Sequence, residues 1–255
     1  MSTSTDPAHA ALTAGLAQLA RLHAERGANP ILAGALERVA TWQSRRLRMT
    51  YADLAAQERY ADAISFFQTD LYGGADFAQR DADLARVVPV MARMLPARVI
   101  ETIGKAVELS VLSQMLDRSL LARLPRADGQ FSVAEYCKAY RRTGKRPERE
   151  RQIRLTGEIG AALEGYVKKP LLHAALVMMR QPARMAGLSA LHDFLERGFA
   201  AFRKMNGASE FLATIESRER TLMESLYAGE TAPFPDPLQP ARQPSAAPRP
   251  AQAAV

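Results

Sequence analysis

The sequence predicts an all-α protein, a single helical bundle followed by a proline-rich tail, and three observations support this prediction. The 255 residues include 46 Ala and 29 Leu but only 7 Ile and 11 Val, so helix formers far outnumber β-branched residues. Apolar residues recur at helical spacing between Pro and Gly boundaries. Seven of the fifteen prolines fall in the last 26 residues. We therefore expect about nine helices in a globular domain, residues 1–229, and a disordered Pro/Ala-rich tail, residues 230–255.

Caps and helix breakers bound the predicted helices in the first half of the chain. Asp6-Pro7 and Asn29-Pro30 each place a capping side chain before a proline at the first helical position. Thr50-x-x-Asp53 resembles a capping box, and Gly73-Gly74 ends the same helix. Pro89 is expected to kink or break the fourth helix. These helices cover residues 6–27, 30–48, 50–74 and 76–95.

The second half is divided by the same signals. Pro96 begins the longest helix, whose broad apolar surface is typical of a central position in a bundle. Ser132-x-x-Glu135 is a full capping box for a short helix that ends at Gly144. Prolines open the next three helices, and the last helix begins near Ser209. These helices cover residues 96–124, 132–144, 147–169, 170 onward, 182 onward and 209–228.

Composition and motifs exclude several classes of function. A single Cys rules out a disulfide scaffold and a Cys-rich metal site. The four histidines form no Glu-x-x-His pair, and neither a P-loop nor a Gly-x-Ser-x-Gly elbow occurs. No apolar run reaches the ~20 residues of a membrane span, and the N-terminus has no signal-peptide pattern. We therefore expect a cytoplasmic protein without a cofactor, and the pattern assigns no catalytic or metal-ligating residue.

The end of the third predicted helix carries a recognisable motif. Residues 66–73 read Phe-Phe-Gln-Thr-Asp-Leu-Tyr-Gly, and Asp76-Phe77-x-x-Arg80-Asp81 follows. This segment resembles the bacterial family named for its FFLEELY motif, although Gln68 and Thr69 stand where that family has Leu and Glu. The resemblance covers roughly residues 51–125 and implies a helical fold in a bacterial cytoplasm. It implies no activity, because none is established for that family.

Two interpretations of this motif stay open. Phe66 and Phe67 are about 100° apart on a helix, so they cannot both face one narrow stripe. We expect Phe67 to join the core, and Phe66 and Tyr72 to pack against the helix that returns after the two glycines. The result would be an aromatic-clamped corner. The functional alternative is a small-molecule or cofactor pocket, for example for haem, with a set of four candidate residues: Phe67, Asp70, Tyr72 and Arg80.

Most of the net charge of +7 lies in one segment. Residues 138–154 hold eight bases and two acids, so this segment contributes +6. Such a concentration of charge indicates a local anionic partner. No DNA-binding motif accompanies the bases, so an acidic protein or other polyanion is the expected partner, with a solvated basic turn as the alternative. The candidate interaction surface lies on both sides of Gly144 and consists of Lys138, Arg141, Arg142, Lys145, Arg146 and Arg149.

The sequence therefore favours a non-enzymatic binding module that uses a basic helix-loop-helix surface. The alternative is a small-molecule or cofactor-binding helical protein with an aromatic-lined pocket. An enzyme whose site is not visible in the sequence is the third interpretation, and the oligomeric state is not determined by the sequence.

Two further patterns concern packing. Glu219 and Glu108 stand in apolar surroundings, where a carboxylate is usually paired with an arginine. Gly157, Ala161 and Gly165 recur every four residues and predict a strip that a neighbouring helix approaches, with a ligand on the strip as the alternative.

Three single residues have both a structural and a functional interpretation. Cys137 is expected to be a small buried residue, although Lys138 and Arg141 nearby could lower a thiol pKa. His173 is expected to be a boundary residue, with a haem or catalytic role as the alternative. His192 and Glu196 are one turn apart, but the pattern marks their face as solvated and argues against a metal site.

Overall fold

The protein folds into α-helices, one π-helical segment and their connections, with no β-strand in the ranges that the structure describes. This computed structural model describes residues 7–71, 77–91, 96–125 and 131–238. The all-α fold predicted from composition is confirmed. The helices are α1 (Pro7–Ala28), α2 (Pro30–Thr50), α3 (Ala52–Ala55), α4 (Glu58–Phe66), the π-helical segment (Phe67–Leu71), α5 (Phe77–Met91), α6 (Ala97–Leu121), α7 (Val133–Arg142), α8 (Arg146–Val167), α9 (Pro170–Met178), α10 (Arg180–Met185), α11 (Ser189–Met205) and α12 (Ser209–Ala228).

Local sequence signals set several helix ends. The Asn29 side chain caps α2, because its Oδ1 accepts a 3.0 Å hydrogen bond from the Leu32 backbone N–H. At α7 the Ser132 Oγ accepts from the Glu135 N–H while the Glu135 carboxylate accepts from the Ser132 N–H. The predicted capping box is therefore confirmed. Gly229 ends α12 with a φ of 109°, a conformation that a residue with a Cβ rarely adopts.

The helices differ from the prediction at three places. The segment predicted as one helix over residues 50–74 breaks at Gln57 and becomes π-helical from Phe67. Gly187, with a φ of 66°, separates α10 from α11, where the sequence predicts one helix from Pro182. Helix α5 continues past Pro89 to Met91, so that proline does not end it. The described ranges therefore hold twelve α-helices where about nine were predicted.

Three hydrophobic clusters form the core. The first joins α4, α11 and α12 around Phe66, Phe202 and Phe211. The second joins α2, α7 and α12 around Trp42 and Tyr136. The third joins α1, α5 and α6. Helix α6 contributes to two of these clusters and contacts α1, α2 and α8, as its broad apolar surface predicts.

The two carboxylates in apolar surroundings are paired with arginines, as predicted. Glu219 of α12 accepts hydrogen bonds from both terminal nitrogens of Arg46, at 2.9 and 3.1 Å. Glu108 of α6 accepts from Arg151 of α8 at 2.8 and 2.9 Å. The first pair is largely shielded from solvent and the second is more exposed, so only the first joins helices inside the bundle.

The glycine of α8 that packs closely is not on the predicted strip. A Cβ at Gly160 would overlap the Cδ atoms of Leu212 on α12. A Cβ at Gly165 would meet nothing within 4 Å, and Ala161 is exposed. The prediction is therefore wrong for Ala161 and Gly165, because α12 approaches α8 on the side of Gly160. At Gly157 a Cβ would lie 3.6 Å from the Glu216 carboxylate of α12, so this end of the strip does face a neighbouring helix.

The chain after α12 stays in contact with the core. The ring of Phe234 is buried, with its centroid 5.9 Å from that of Trp42 and 6.1 Å from that of Tyr136. The predicted unpacked tail, which begins at Glu230, therefore starts too early, because residues 231–238 include Phe234, whose ring packs on the core. We call these residues the C-terminal segment. The rest of the predicted tail, residues 239–255, lies outside the described residues.

Candidate functional site

The predicted basic surface surrounds the turn between α7 and α8. Lys138 and Arg142, one turn apart on α7, are exposed, and within the described ranges neither forms an ion pair. Across the turn, Lys145 binds Glu148 at 2.8 Å and Arg146 binds Glu150 at 3.1 Å. Both pairs are solvent-accessible, and such pairs contribute only about 0–1 kcal/mol, so a partner can replace them.

Two of the six predicted surface residues are turned toward the protein. Arg141 donates a 3.3 Å hydrogen bond to the Leu226 carbonyl near the end of α12. Arg149 is only 6% exposed, and its guanidinium lies 4.5 Å from the centre of the Tyr140 ring. The sequence counts Arg149 as a surface base because its neighbours are charged, but its position on α8 points it into the bundle. The exposed surface is therefore smaller than predicted.

The two phenylalanines of the motif pack on different helices. Phe66 lies against Phe194 of α11, with ring centroids 5.3 Å apart, and the side chain fills the space over Gly198. The ring contacts described for Phe66 are with Phe67 and Phe194, and the expected packing on the helix after the two glycines stays a prediction, because some side chains of that helix lie outside the described residues. Phe67 contacts Phe211 of α12 at 5.6 Å and also lines a small cavity of about 50 Å³.

The structure does not bring Arg80 to the Phe67 cavity. Its guanidinium lies 4.7 Å from the Phe194 ring centre, and it donates to the neighbouring Asp81 at 2.8 and 3.0 Å. The cavity is instead bordered by Gln68, Tyr51 and Glu219 among others. The Asp70 side chain and Tyr72 lie outside the described residues, so the predicted four-residue pocket stays a prediction.

The most unusual surface of the described protein is formed by α9 and α10. Leu171 is 84% exposed, Met178 77% and Met185 88%, and no residue of α9 is buried. Large apolar side chains with this exposure rarely cluster on a soluble protein unless they contact something else. Leu172, Val177 and Met179 extend the same surface.

The exposed part of α9 covers most of its circumference. His173 and Leu176 face the bundle, where the His173 ring stacks on Phe199 and the Leu176 carbonyl accepts a 2.9 Å hydrogen bond from His192 Nε2. At 100° per residue the exposed residues span an arc of about 200°. The exposed residues of this arc are all apolar: Leu171, Leu172, Ala174, Ala175, Val177 and Met178.

Basic residues flank this apolar surface at both ends. Lys168 and Lys169 precede α9, and Arg180 and Arg184 lie on α10. Lys168 binds Glu164 at 2.8 Å and Arg180 binds Glu196, while Lys169 and Arg184 form no ion pair among the described residues. The sequence analysis predicts a helix from Pro170 but does not say whether that helix is buried or exposed. The flanking bases and the nine-residue length were the signal that could have indicated a surface helix.

His192 and Cys137 are both buried in the bundle. His192 is buried and bonded to α9, so the solvated face expected for it is wrong; its Nδ1 lies 3.9 Å from Asp193 and 4.0 Å from Glu196. Glu196 is engaged by Arg180. Cys137 is fully buried, as predicted, and burial raises the pKa of its thiol to about 11, which leaves it unreactive at neutral pH.

Fold and surface together define a helical-bundle protein with one exposed apolar helix pair and a basic turn. None of the described helices combines the length and apolar character that a bilayer span requires. The chain belongs to the family described as Domain of unknown function (DUF8198), whose family model matches residues 22–233. Comparisons with curated proteins and with solved structures found no match. The matched range includes α9, α10 and the start of the C-terminal segment.

Proposed function

We propose that the protein is a binding module that docks on an anionic membrane surface through α9 and α10. The observation that carries the proposal is that a nine-residue helix without a single charged side chain leaves every residue at least partly exposed. Leaving such side chains in water forgoes about 1.5–3 kcal/mol for each Leu or Met that could be fully buried.

The width of the apolar arc favours lipid over a protein groove. A helix that docks in a protein groove presents a stripe at i, i+3, i+4 and i+7. Lipid headgroups and acyl chains instead surround the inserted side of a helix, which suits the apolar arc of about 200° on α9. The exposed side chains of Leu171 and Met178 lie near the centre of this arc.

The flanking charges favour an anionic lipid. A base near a negatively charged membrane contributes about 1 kcal/mol, and Lys168, Lys169 and Arg184 are exposed beside the apolar surface. Two contributions, apolar insertion and charge attraction, are the combination that stable interfacial binding requires.

Vesicle co-sedimentation tests the proposal. We expect the full chain to sediment with vesicles that contain phosphatidylglycerol and to stay in solution with phosphatidylcholine alone. Replacing Leu171→Ser and Met178→Ser together removes two inserted side chains, worth at least about 3 kcal/mol, and should weaken binding about a hundredfold or more. The matched control is Ile31→Ser, because Ile31 is equally exposed (82%) but stands alone on α2.

Three results would overturn the proposal. In the first, the wild-type protein has no affinity for anionic vesicles. In the second, the double variant and the Ile31 variant bind equally well. In the third, light scattering finds that the wild-type protein is a dimer and the double variant a monomer, while neither binds vesicles. The apolar surface of α9 and α10 is then an interface between two copies of the chain.

The basic turn supports a second candidate function, docking of an acidic protein or other polyanion, because Lys138 and Arg142 are exposed without a partner among the described residues. Reversing both to Glu should abolish salt-sensitive retention on heparin, while reversing Arg21 on α1 should not. Unchanged retention would refute this function.

The Phe66–Tyr72 motif further supports a relationship to the bacterial FFLEELY-motif family, and the single free Cys supports a cytoplasmic location.

A further inference from the structure

A second cavity lies between α2, α7, α8 and α12. Its volume is about 50 Å³, and Phe234 of the C-terminal segment closes one side. We call it the central chamber. Its wall combines apolar side chains of α12 with a polar group that consists of Gln43, Arg46, Tyr140, Arg149, Gln152 and Glu219.

The charge of Arg46 in this wall is balanced. Both of its terminal nitrogens donate to Glu219, and the Tyr51 hydroxyl donates a further 2.7 Å hydrogen bond to the same carboxylate. Burial acts to raise the pKa of Glu219, but Arg46 and Tyr51 outweigh it and hold this pKa below its ordinary value. This pair is therefore an internally neutral unit.

The charge of Arg149 is not balanced in the same way. Its Nη1 donates a 3.3 Å hydrogen bond to Gln152, but its Nε and Nη2 are buried without any hydrogen-bond partner. Within the described residues Arg149 makes no ion pair. The titratable groups that interact with its charge are Asp117, Glu219, Tyr136, Tyr140 and Tyr227. Asp117 Oδ1 accepts from Gln43 instead. A buried guanidinium with free donors is costly unless something accepts from it.

We propose that the central chamber binds a small oxyanion, which accepts hydrogen bonds from Arg149 Nε and Nη2. Guanidinium groups present their donors in a fork that matches carboxylate and phosphate oxygens. Burial raises the pKa of Tyr136 and Tyr140, so both phenols stay neutral beside the anion.

The chamber volume limits the size of the anion. One water needs roughly 10–15 Å³ of cavity volume, so the chamber of about 50 Å³ holds about three to five water-sized groups. Inorganic phosphate and a short carboxylate such as acetate fit this limit, whereas a nucleotide does not. Phosphate and acetate both present oxyanion oxygens to Arg149. Their relative affinities show whether the chamber prefers a phosphate or a carboxylate.

The single tryptophan reports on the chamber. Trp42 stacks on Tyr136, a wall residue, with ring centroids 4.3 Å apart. Titration of the full chain with sodium phosphate or sodium acetate, against sodium chloride at equal ionic strength, is expected to give a saturable change in Trp42 fluorescence. Arg149→Gln should weaken this binding at least tenfold. Arg21→Gln, at an exposed base on α1 outside the candidate interaction surface, should leave it unchanged.

A second variant keeps the test decisive if Arg149→Gln does not fold. Leu222→Phe keeps every charge but fills part of the chamber, and it should also abolish the saturable change. The proposal is overturned if neither anion gives a saturable change in the wild-type protein, since the chamber then holds water only. It is also overturned if Arg149→Gln or Leu222→Phe binds as the wild type does. None of these outcomes depends on membrane binding.

Discussion

Glu219 shows how one charged residue is accommodated on an otherwise apolar helix stripe. Leu212, Ile215 and Leu226 of the same stripe are buried, and the carboxylate is held among them by Arg46 and Tyr51. Removing one partner of such a pair leaves the other buried and unpaired, which costs about 3–5 kcal/mol. Its role in the fold is therefore to fix α12 against α2.

Replacing Glu219→Gln should destabilise the protein by about 3–5 kcal/mol, measured by urea unfolding at neutral pH. The control is Glu216→Gln, because Glu216 forms a solvent-accessible pair with Arg220 that contributes at most about 0.5 kcal/mol. Equal effects of the two changes would contradict the role assigned to Glu219.

The same pair predicts a pH dependence. Because the folded-state pKa of Glu219 lies below its ordinary value, its contribution is complete above the unfolded-state pKa of about 4.3 and is lost as the pH falls through the folded-state pKa. The stability difference between wild type and Glu219→Gln should therefore shrink below about pH 4. A difference that stays constant down to acid unfolding would refute this linkage.

Two glycines of α8 should respond to alanine in opposite directions. At Gly160 the new Cβ overlaps Leu212, so Gly160→Ala should cost about 1–3 kcal/mol. At Gly165 nothing lies within 4 Å, so Gly165→Ala should add up to about 1 kcal/mol through helix propensity. Thermal unfolding of both variants measures the difference, and a loss of stability at Gly165 would show that the strip is in contact after all.

At the scale of elements, α9 is unusual because none of its residues is buried. Every other helix of nine or more residues that the structure describes buries at least one. Helix α9 contacts α8 and α11, and its attachment includes the His173–Phe199 stack and the hydrogen bond from His192 to the Leu176 carbonyl. A helix attached along one narrow side is free to present the rest of its surface, which is what an interfacial docking element requires.

The C-terminal segment is a second element whose role can be measured. Deleting residues 230–255 removes Phe234 from its contact with Trp42 and Tyr136, and loss of a buried Phe costs about 3–5 kcal/mol. Deleting only residues 239–255 should leave the unfolding midpoint unchanged. If both deletions leave it unchanged, Phe234 does not hold this segment on the core.

For the whole molecule, sequence reasoning succeeds where the signal is local. Caps such as Asn29 and Ser132, the absence of strand formers, and the pairing of Glu219 follow from residue type and spacing alone. It fails where the outcome depends on which helix approaches which face. Gly160 rather than Gly165 meets α12, and Arg149 turns inward, because both outcomes depend on contacts between residues that are distant in sequence.

The basic turn and the apolar helix α9 could each be predicted only in part from the sequence. Clustered bases around Gly144 identified a charged turn, but charge counting cannot distinguish a base that faces solvent from one that enters a chamber. Hydropathy identified α9 as apolar, but burial in protein and burial in lipid produce the same apolar pattern.

The measurement that tests membrane docking most directly places a polarity-sensitive fluorophore at Met178→Cys. The native Cys137 is fully buried and its thiol pKa is raised to about 11, so labelling is confined to the new thiol. Addition of vesicles with phosphatidylglycerol should shift the emission to the blue and increase its intensity, because the label enters the headgroup region. The same label at Ile31→Cys should not change. An unchanged spectrum at position 178, or an equal change at both positions, would contradict the docking of α9 on a membrane.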